Sequence, residues 1–139
     1  MRDAVIDASV AVKWLVEEVG SVEARRLADR RLHAPDLLST ECANALWRKT
    51  LNGELTAEEA QERLAALAQA PITLSSSNEL APMALGIALE LRHPVYDCVY
   101  LALAVRRRAR LVTADRRLLE AVRSSSTYAD HARMLGEAD

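Results

Sequence analysis

Glycine is scarce in this 139-residue chain, and its four copies stand in neither GxGxxG nor Walker spacing. No loop is therefore built to cradle nucleotide phosphates. Cysteine is scarcer still: Cys42 and Cys98 lie far apart with no CxxC spacing, which excludes a disulfide framework and a zinc site and leaves two small helix residues for the interior. The three histidines, His33, His93 and His131, fall at no catalytic spacing, so acid–base chemistry by a histidine pair is not indicated. Lysine occurs only at Lys13 and Lys49. No apolar run approaches a membrane span, and the N-terminal MRDAVIDAS lacks a basic-then-apolar signal region, so a cytoplasmic protein with no membrane partner is expected.

What is present is the composition of an ordinary soluble domain, 50% hydrophobic and 27% charged, and residues 1–139 read as one domain with enough chain to bury a core unaided. The formal net charge is -2 and nearly all positive charge is arginine. Attraction to a polyanion would have to come from local arginine clusters or bound cations.

The segment from Leu91 to Leu119 organises the rest. Its apolar stretch Val99 to Val105 is long enough for about two helical turns, with Asp97 at its head; a carboxylate there is expected to be nearly buried. Asp115 follows the short apolar run Leu111-Val112, which reads as a strand feeding a turn and another helix. Upstream, Ala4 to Ile6 reads as a strand that delivers Asp7 at its end, with Ser9 placed to cap a helix through Glu17. Val10, Ala11, Trp14 and Leu15 form its inner stripe, and Lys13 faces water. Ser21 to Arg31 reads as a charged helix and His33 to Pro35 as a thin strand. Asp36 is placed to cap the helix Leu37 to Leu51, on which Glu41, Asn44 and Arg48 share one narrow face. Thr56 and Glu59 form a capping box for a helix to about Gln69, Ile72 to Leu74 is a strand, and an apolar helix bearing Met83, Leu85, Ile87, Leu89 and Leu91 follows. Residues 124–139 leave strand, weak helix and loose tail open, with Ser124 to Tyr128 as the place a fifth, edge strand would take. Strands alternating with helices predict a parallel sheet whose ligand site lies beyond the C-terminal strand ends.

Each acid has a local explanation: Asp7 and Asp115 as helix caps, Asp97 as the complement of a helix N-terminus, Glu41 as a solvated helix residue. Taken together, Asp7 and Asp115 both end strands, and all four can converge. Two carboxylates about 4 Å apart repel by roughly 4 kcal/mol at an effective dielectric near 20. Such a cluster must take up protons or a cation. Carboxylate oxygens with no histidine or thiol expected nearby suit Mg²⁺ or Mn²⁺, which can orient water and offset charge on the leaving oxygen of a phosphodiester.

Four segments carry a resemblance. VIDAS at 5–9, TECANALW at 40–47, VYDCVYLALA at 95–104 and LVTADRRL at 111–118 resemble, in order, the four acidic motifs of PIN-domain ribonucleases, and in particular the VapC-type toxins of toxin–antitoxin pairs. The resemblance covers about residues 4–119. It implies an α/β class, a three-layer α/β/α fold with a central parallel sheet of four to five strands, a homodimer, an Mg²⁺- or Mn²⁺-dependent endonuclease acting on RNA, and inhibition by a small antitoxin. By match of motif, Asp7, Glu41, Asp97 and Asp115 are the implied catalytic and metal-binding acids, with Ser9 and Thr113 as supporting hydroxyls and Asn44 as the amide one turn after the glutamate. Cys98 stands where the family often has alanine. Arg48, beside Glu41, and Arg116 are the candidates for contacts to RNA phosphates. Arg106, Arg107, Arg108 and Arg110 read chiefly as charge complementing a helix C-terminus. Trp14 and Trp47 read as core or interface residues, and His93 as a bystander at the site mouth.

Two other readings are weighed. A phospho-aspartyl protein also places an aspartate after strand one, but a receiver domain needs a late-strand lysine and a dehalogenase-like phosphatase a second aspartate where Ser9 stands. A catalytically inactive PIN-like module that binds RNA or protein is opposed only by the intact acids.

Overall fold

The structure, a computed structural model, describes residues 2–138. Five strands, β1 (Asp3–Ile6), β2 (Arg31–Pro35), β3 (Ile72–Ser75), β4 (Arg110–Thr113) and β5 (Ala132–Met134), form one sheet in the order β3-β2-β1-β4-β5. All neighbouring strands are parallel. Seven helices connect them among the described residues: α1 (Ala8–Leu15), α2 (Ser21–Arg25), α3 (Leu37–Leu51), α4 (Ala57–Ala68), α5 (Ser77–Leu91), α6 (Val95–Arg107) and α7 (Arg116–Arg123). The chain runs outward from β1 to β2 and β3, then returns to the far side of β1 for β4 and β5. With right-handed crossovers, that reversal places α1–α4 on one face and α5–α7 on the other, the three-layer α/β arrangement expected. Accordingly α5 packs on α6 and α6 on β1, β2 and β4, whereas α1 packs with α2, α3 and α4.

Central parallel strands are covered on both faces, which is why they are continuous apolar runs rather than alternating ones. Val5, Ile6, Leu111 and Val112 are all fully buried, while the edge strand β3 is partly exposed. The helix α6 is the largest contributor to the core: Cys98 to Ala104 are buried without interruption. The capping box Thr56–Glu59 opens α4 with both reciprocal bonds formed. Gly53, at φ +77°, turns the chain after α3, a left-handed conformation that glycine adopts without steric cost.

Several elements depart from the sequence reading. The first helix ends at Leu15, and Lys13 is half-buried because its ammonium donates to the Val19 carbonyl at 2.7 Å. The helix expected over Ser21 to Arg31 stops at Arg25, passes through a 3₁₀ turn at Arg26–Asp29 and becomes β2. Asp36 does not cap α3 with its side chain. It accepts instead from the backbone N–H of Ser77 at 3.0 Å, while the Ser77 hydroxyl accepts from Leu37 N–H at 3.0 Å, so α3 and α5 cap one another. The fifth strand lies at Ala132–Met134, not near Ser124 to Tyr128. In that serine-rich segment the Ser125 hydroxyl accepts from the N–H groups of Thr127 and Tyr128, forming a local turn that competes with strand pairing. Trp14 is only partly buried against the core and Trp47 is exposed.

Replacing Leu101, fully buried in α6, by alanine should destabilise the fold by about 2–5 kcal/mol, read as a lower urea midpoint. The same change at Leu89, 73% exposed on α5, should cost under about 0.5 kcal/mol. Equal losses at the two positions would contradict the core assigned to α6.

Candidate active site

The register between β1 and β4 pairs Ile6 with Val112. One residue further on, Asp7 and Thr113 therefore stand side by side at the C-terminal edge of the sheet, at the point where strand order reverses and ligands of such folds bind. Thr113 Oγ1 donates to Asp7 Oδ2 at 2.5 Å. Ser9 Oγ donates to Asp7 Oδ1 at 2.5 Å and accepts from the Ala114 N–H at 2.9 Å. Asp7 Oδ1 also accepts from Val10 N–H at 3.3 Å, so Asp7, not Ser9, is the cap of α1. The aspartate is only 4% exposed. Burial is the main cause that pushes its carboxyl up from 3.8 to about 6; the Ser9 and Thr113 hydroxyls oppose the rise, and the charge of Asp97 adds to it.

Asp97 occupies the first turn of α6. Its side chain is 30% exposed, not nearly buried as its apolar neighbours suggest, because the helix enters the core only from Cys98 onward. His93 Nε2 lies 2.6 Å from Asp97 Oδ2, which makes the histidine a direct partner of the acid and not a bystander.

Glu41 comes from α3. Its Oε1 accepts the Tyr100 hydroxyl at 2.5 Å, a bond that joins the two helical layers. Burial pushes the Glu41 carboxyl up, the Tyr100 bond opposes this, and the Asp97 charge raises it further. Burial, then the bond to Glu41, pushes the Tyr100 phenol far above its usual range, so it remains a donor. The Asp97 charge thus reaches both Asp7 and Glu41, bringing acids from β1, α3 and α6 into one field.

Asp115 is tied to this group through its backbone: its N–H donates to Thr113 Oγ1 at 3.0 Å. Its side chain caps α7, accepting from Arg117 and Leu118 N–H at 3.0 and 3.3 Å. The local explanation and the placement at the site both hold for this residue, as they do for Asp7.

A cavity of about 740 Å³ is lined by one of the four acids, Glu41; Asp7, Asp97 and Asp115 are not among its lining residues. Ser9, Glu41, Asn44 and Arg48 line it, as do Tyr96 and Ala114, the sequence neighbours of Asp97 and Asp115. Asn44 and Arg48 therefore join Glu41 as their spacing predicts. Arg116 is exposed at the head of α7 and is not among the lining residues. Both lysines line the same cavity, bridged by Glu18 at 3.4 Å to Lys13 and 3.0 Å to Lys49. Sequence reasoning did not single out Tyr100 or this bridge. Tyr100 follows Asp97 by three residues, and that shared helix face was the available signal; nothing local points to Glu18.

These features define a class: a doubly wound parallel α/β domain with an acid-lined site outside the carboxyl ends of its two central strands. The PIN domain family matches residues 4–123, a span that contains all four candidate acids. The chain belongs to that family, and its relatives make it a VapC-type member. It is 35% identical to Ribonuclease VapC3 of Pyrobaculum aerophilum over 120 residues, 84% of this chain and 92% of that protein. It is 34% identical to Ribonuclease VapC1 of Mycobacterium tuberculosis over 125 residues, 87% of this chain and 92% of that protein. The crystal structure of another Pyrobaculum aerophilum protein superposes with a TM-score of 0.69 at 21% identity, covering 96% of this chain and 90% of that one, and it supports the fold.

The raised Asp7 carboxyl has a consequence for stability without added metal. Its folded value, about 6, lies above the ordinary 3.8, so between those values the folded state binds more protons than the unfolded one. Asp7 then costs stability as pH rises through the window, fully so above about pH 6. In EDTA, Asp7→Asn should be more stable than the parent at pH 7 by up to about 3 kcal/mol, and the difference should shrink by that amount toward pH 4. A difference in urea stability that does not change between those pH values would contradict the assignment.

Proposed function

We propose that the chain is a divalent-metal-dependent endoribonuclease that hydrolyses RNA phosphodiesters, and that it is the toxin of a toxin–antitoxin pair. The observation that carries this reading is the shared field of Asp7, Glu41 and Asp97 at the topological switch point, joined through Thr113 to Asp115. The names of its relatives, ribonucleases of the VapC type, support the same activity.

The donor set fits Mg²⁺ or Mn²⁺: carboxylate oxygens from four elements, with Asp7 buried and short of positive charge. Among the described residues, no three acid, histidine or cysteine side chains stand close enough to cage an ion unaided. A hard cation keeps several waters and takes further oxygens from the substrate. Asp7, Glu41, Asp97 and Asp115 would hold it. A bound divalent cation supplies positive charge for the attacking water and the leaving oxygen.

The remaining roles belong to the chain's own groups. Ser9 and Thr113 occupy both oxygens of Asp7 and fix its plane. Tyr100 fixes Glu41, and His93 fixes Asp97. Arg48 places positive charge in the cavity beside Glu41, where it would attract a backbone phosphate, whereas Lys13 and Lys49 are paired with Glu18, and Lys49 also with Glu54. Asn44 offers an amide to the same space, and Arg116 is an exposed charge at the head of α7, next in sequence to Asp115.

The partner readings rest on surface. Met83, Leu85 and Leu89 of α5 and Tyr96 of α6 are exposed apolar residues, suited to a homodimer. Trp47 and Leu51 on α3 are exposed as well, suited to an apolar antitoxin segment. No described helix is long and apolar enough to cross a membrane.

Purified protein should cut labelled RNA with Mg²⁺ or Mn²⁺, lose that activity in EDTA, and fall to background as Asp97→Asn. Tyr100→Phe, which removes only the hydroxyl on Glu41, should lower the rate roughly 10- to 100-fold, the range for a partner that orients a metal ligand. The alternative, a PIN module that binds without cutting, predicts RNA retention with no cleavage under any metal condition. Cutting that survives in both EDTA and Asp97→Asn would overturn the metal-dependent reading.

A further inference from the structure

The end of the sheet opposite the acids carries the reverse charge. Arg2, Arg30, Arg31, Arg108, Arg110 and Arg133 line a cleft of about 430 Å³ in which Asp3 is the one acidic wall residue among the described residues, and Arg2, Arg30, Arg31 and Arg133 are already engaged. The strand registers fix its place: Asp3 pairs with Arg31 at the start of β1 and β2, and Ala4 pairs with Arg110 at the start of β4. The cleft therefore lies at the N-terminal strand ends, separated from Asp7 and Thr113 by the length of the strands, about 13 Å for four residues.

Asp3 is already engaged, with Arg31 Nε at 2.7 Å. Arg133 is buried and donates to the Glu137 carbonyl at 2.7 Å, so one guanidinium forms part of the floor. Arg108 and Arg110 are exposed and have no acidic partner among the described residues. Arg108 adopts a left-handed conformation at φ +53° where α6 ends. Apart from the arginines and Asp3, the walls among the described residues are Ala4, Ala109 and Val112. No aromatic ring among these lining residues offers a stacking platform for a base. Guanidinium groups match phosphate oxygens in a fork, so backbone phosphate is the group that a cleft lined by arginines is built to hold.

We infer that this arginine cleft is a second phosphate-backbone site, which holds a folded RNA substrate at a distance from the cut. The inference rests on the ribonuclease reading above for the identity of the polyanion. It specifies a substrate class: an RNA whose fold presents phosphates to both ends of the sheet at once, in preference to a short single strand that can occupy only the acid site. It also explains how a chain of net charge -2 gains affinity for RNA, since the attraction is concentrated locally.

The test uses the full chain carrying Asp97→Asn, so that RNA stays intact, with and without Arg108→Asn and Arg110→Gln. Asparagine is chosen at Arg108 because it tolerates the left-handed conformation. Binding is measured over a range of salt to a folded RNA long enough to span the domain, to a single-stranded hexanucleotide, and to tripolyphosphate. The double substitution should weaken binding of the folded RNA by about tenfold or more and lower the slope of log K against log salt by about 1.5, as for two lost phosphate contacts. Hexanucleotide binding should not change, and Arg108→Lys with Arg110→Lys should restore most of the salt slope. An unchanged affinity and slope for the folded RNA would overturn the inference, as would a cleft that takes tripolyphosphate while RNA binding ignores the substitutions. Cleavage of the hexanucleotide with Mg²⁺, in chains with Asp97 intact, reports on the acid site alone, so the nuclease reading and the cleft fail separately.

Discussion

The buried carboxylate of Asp7 is the group on which the site depends. It stands at the end of the central strand, and its oxygens are taken up by Ser9 from α1 and Thr113 from β4. Those two hydroxyls in turn accept from Ala114 and Asp115 N–H. One acid thus ties together the exit of β1, the start of α1 and the turn that carries the last acid. A neutral side chain would make the same junction with less strain on the fold. The carboxylate's desolvation is offset only in part by its hydrogen bonds, and an unfavourable group at a switch point is the pattern expected where function, not stability, sets the residue.

The other acids are held with decreasing rigidity. Glu41 and its Tyr100 partner lie between helical layers, with the tyrosine fully buried in the main core helix. Asp97 is half-open to solvent and paired with a histidine one turn before it. Asp115 is committed to capping α7. The gradient from a buried acid to an accessible one gives the site a fixed floor and an adjustable rim. A hard cation with waters in its shell needs that combination, because its own geometry is strict while its substrate ligands vary.

Much of this was legible before any coordinates, for physical reasons that differ by element. Strands β1 and β4 announce themselves because buried parallel strands are short apolar runs, and an acid directly after each run must emerge at the same sheet edge. The spacing of Glu41, Asn44 and Arg48 yields one helix face, and all three line the cavity. What stayed hidden depended on long-range partners. Tyr100 meets Glu41 across 59 positions, and Asp36 meets Ser77 across 41; no periodicity encodes either pair. The position of β5 is not legible locally, because the serine-rich stretch that offers an edge strand satisfies its own backbone with a hydroxyl. Asp97 was placed too deep because hydropathy averages over a helix, whereas burial begins at a particular residue, Cys98.

The sheet also separates charge along its strands. Parallel strands bring all their C-termini to one edge and all their N-termini to the other, so residues of like position in successive β–α units gather by sign. Acids that follow β1 and β4 collect at one edge, and arginines that precede or begin β1, β2 and β4 collect at the other. In an antiparallel sheet the same sequence positions would alternate between edges and the fields would cancel. The near-neutral net charge therefore conceals a dipolar molecule. The topology that places the catalytic candidates together also makes the arginine edge attractive to anions and the acid edge attractive to cations.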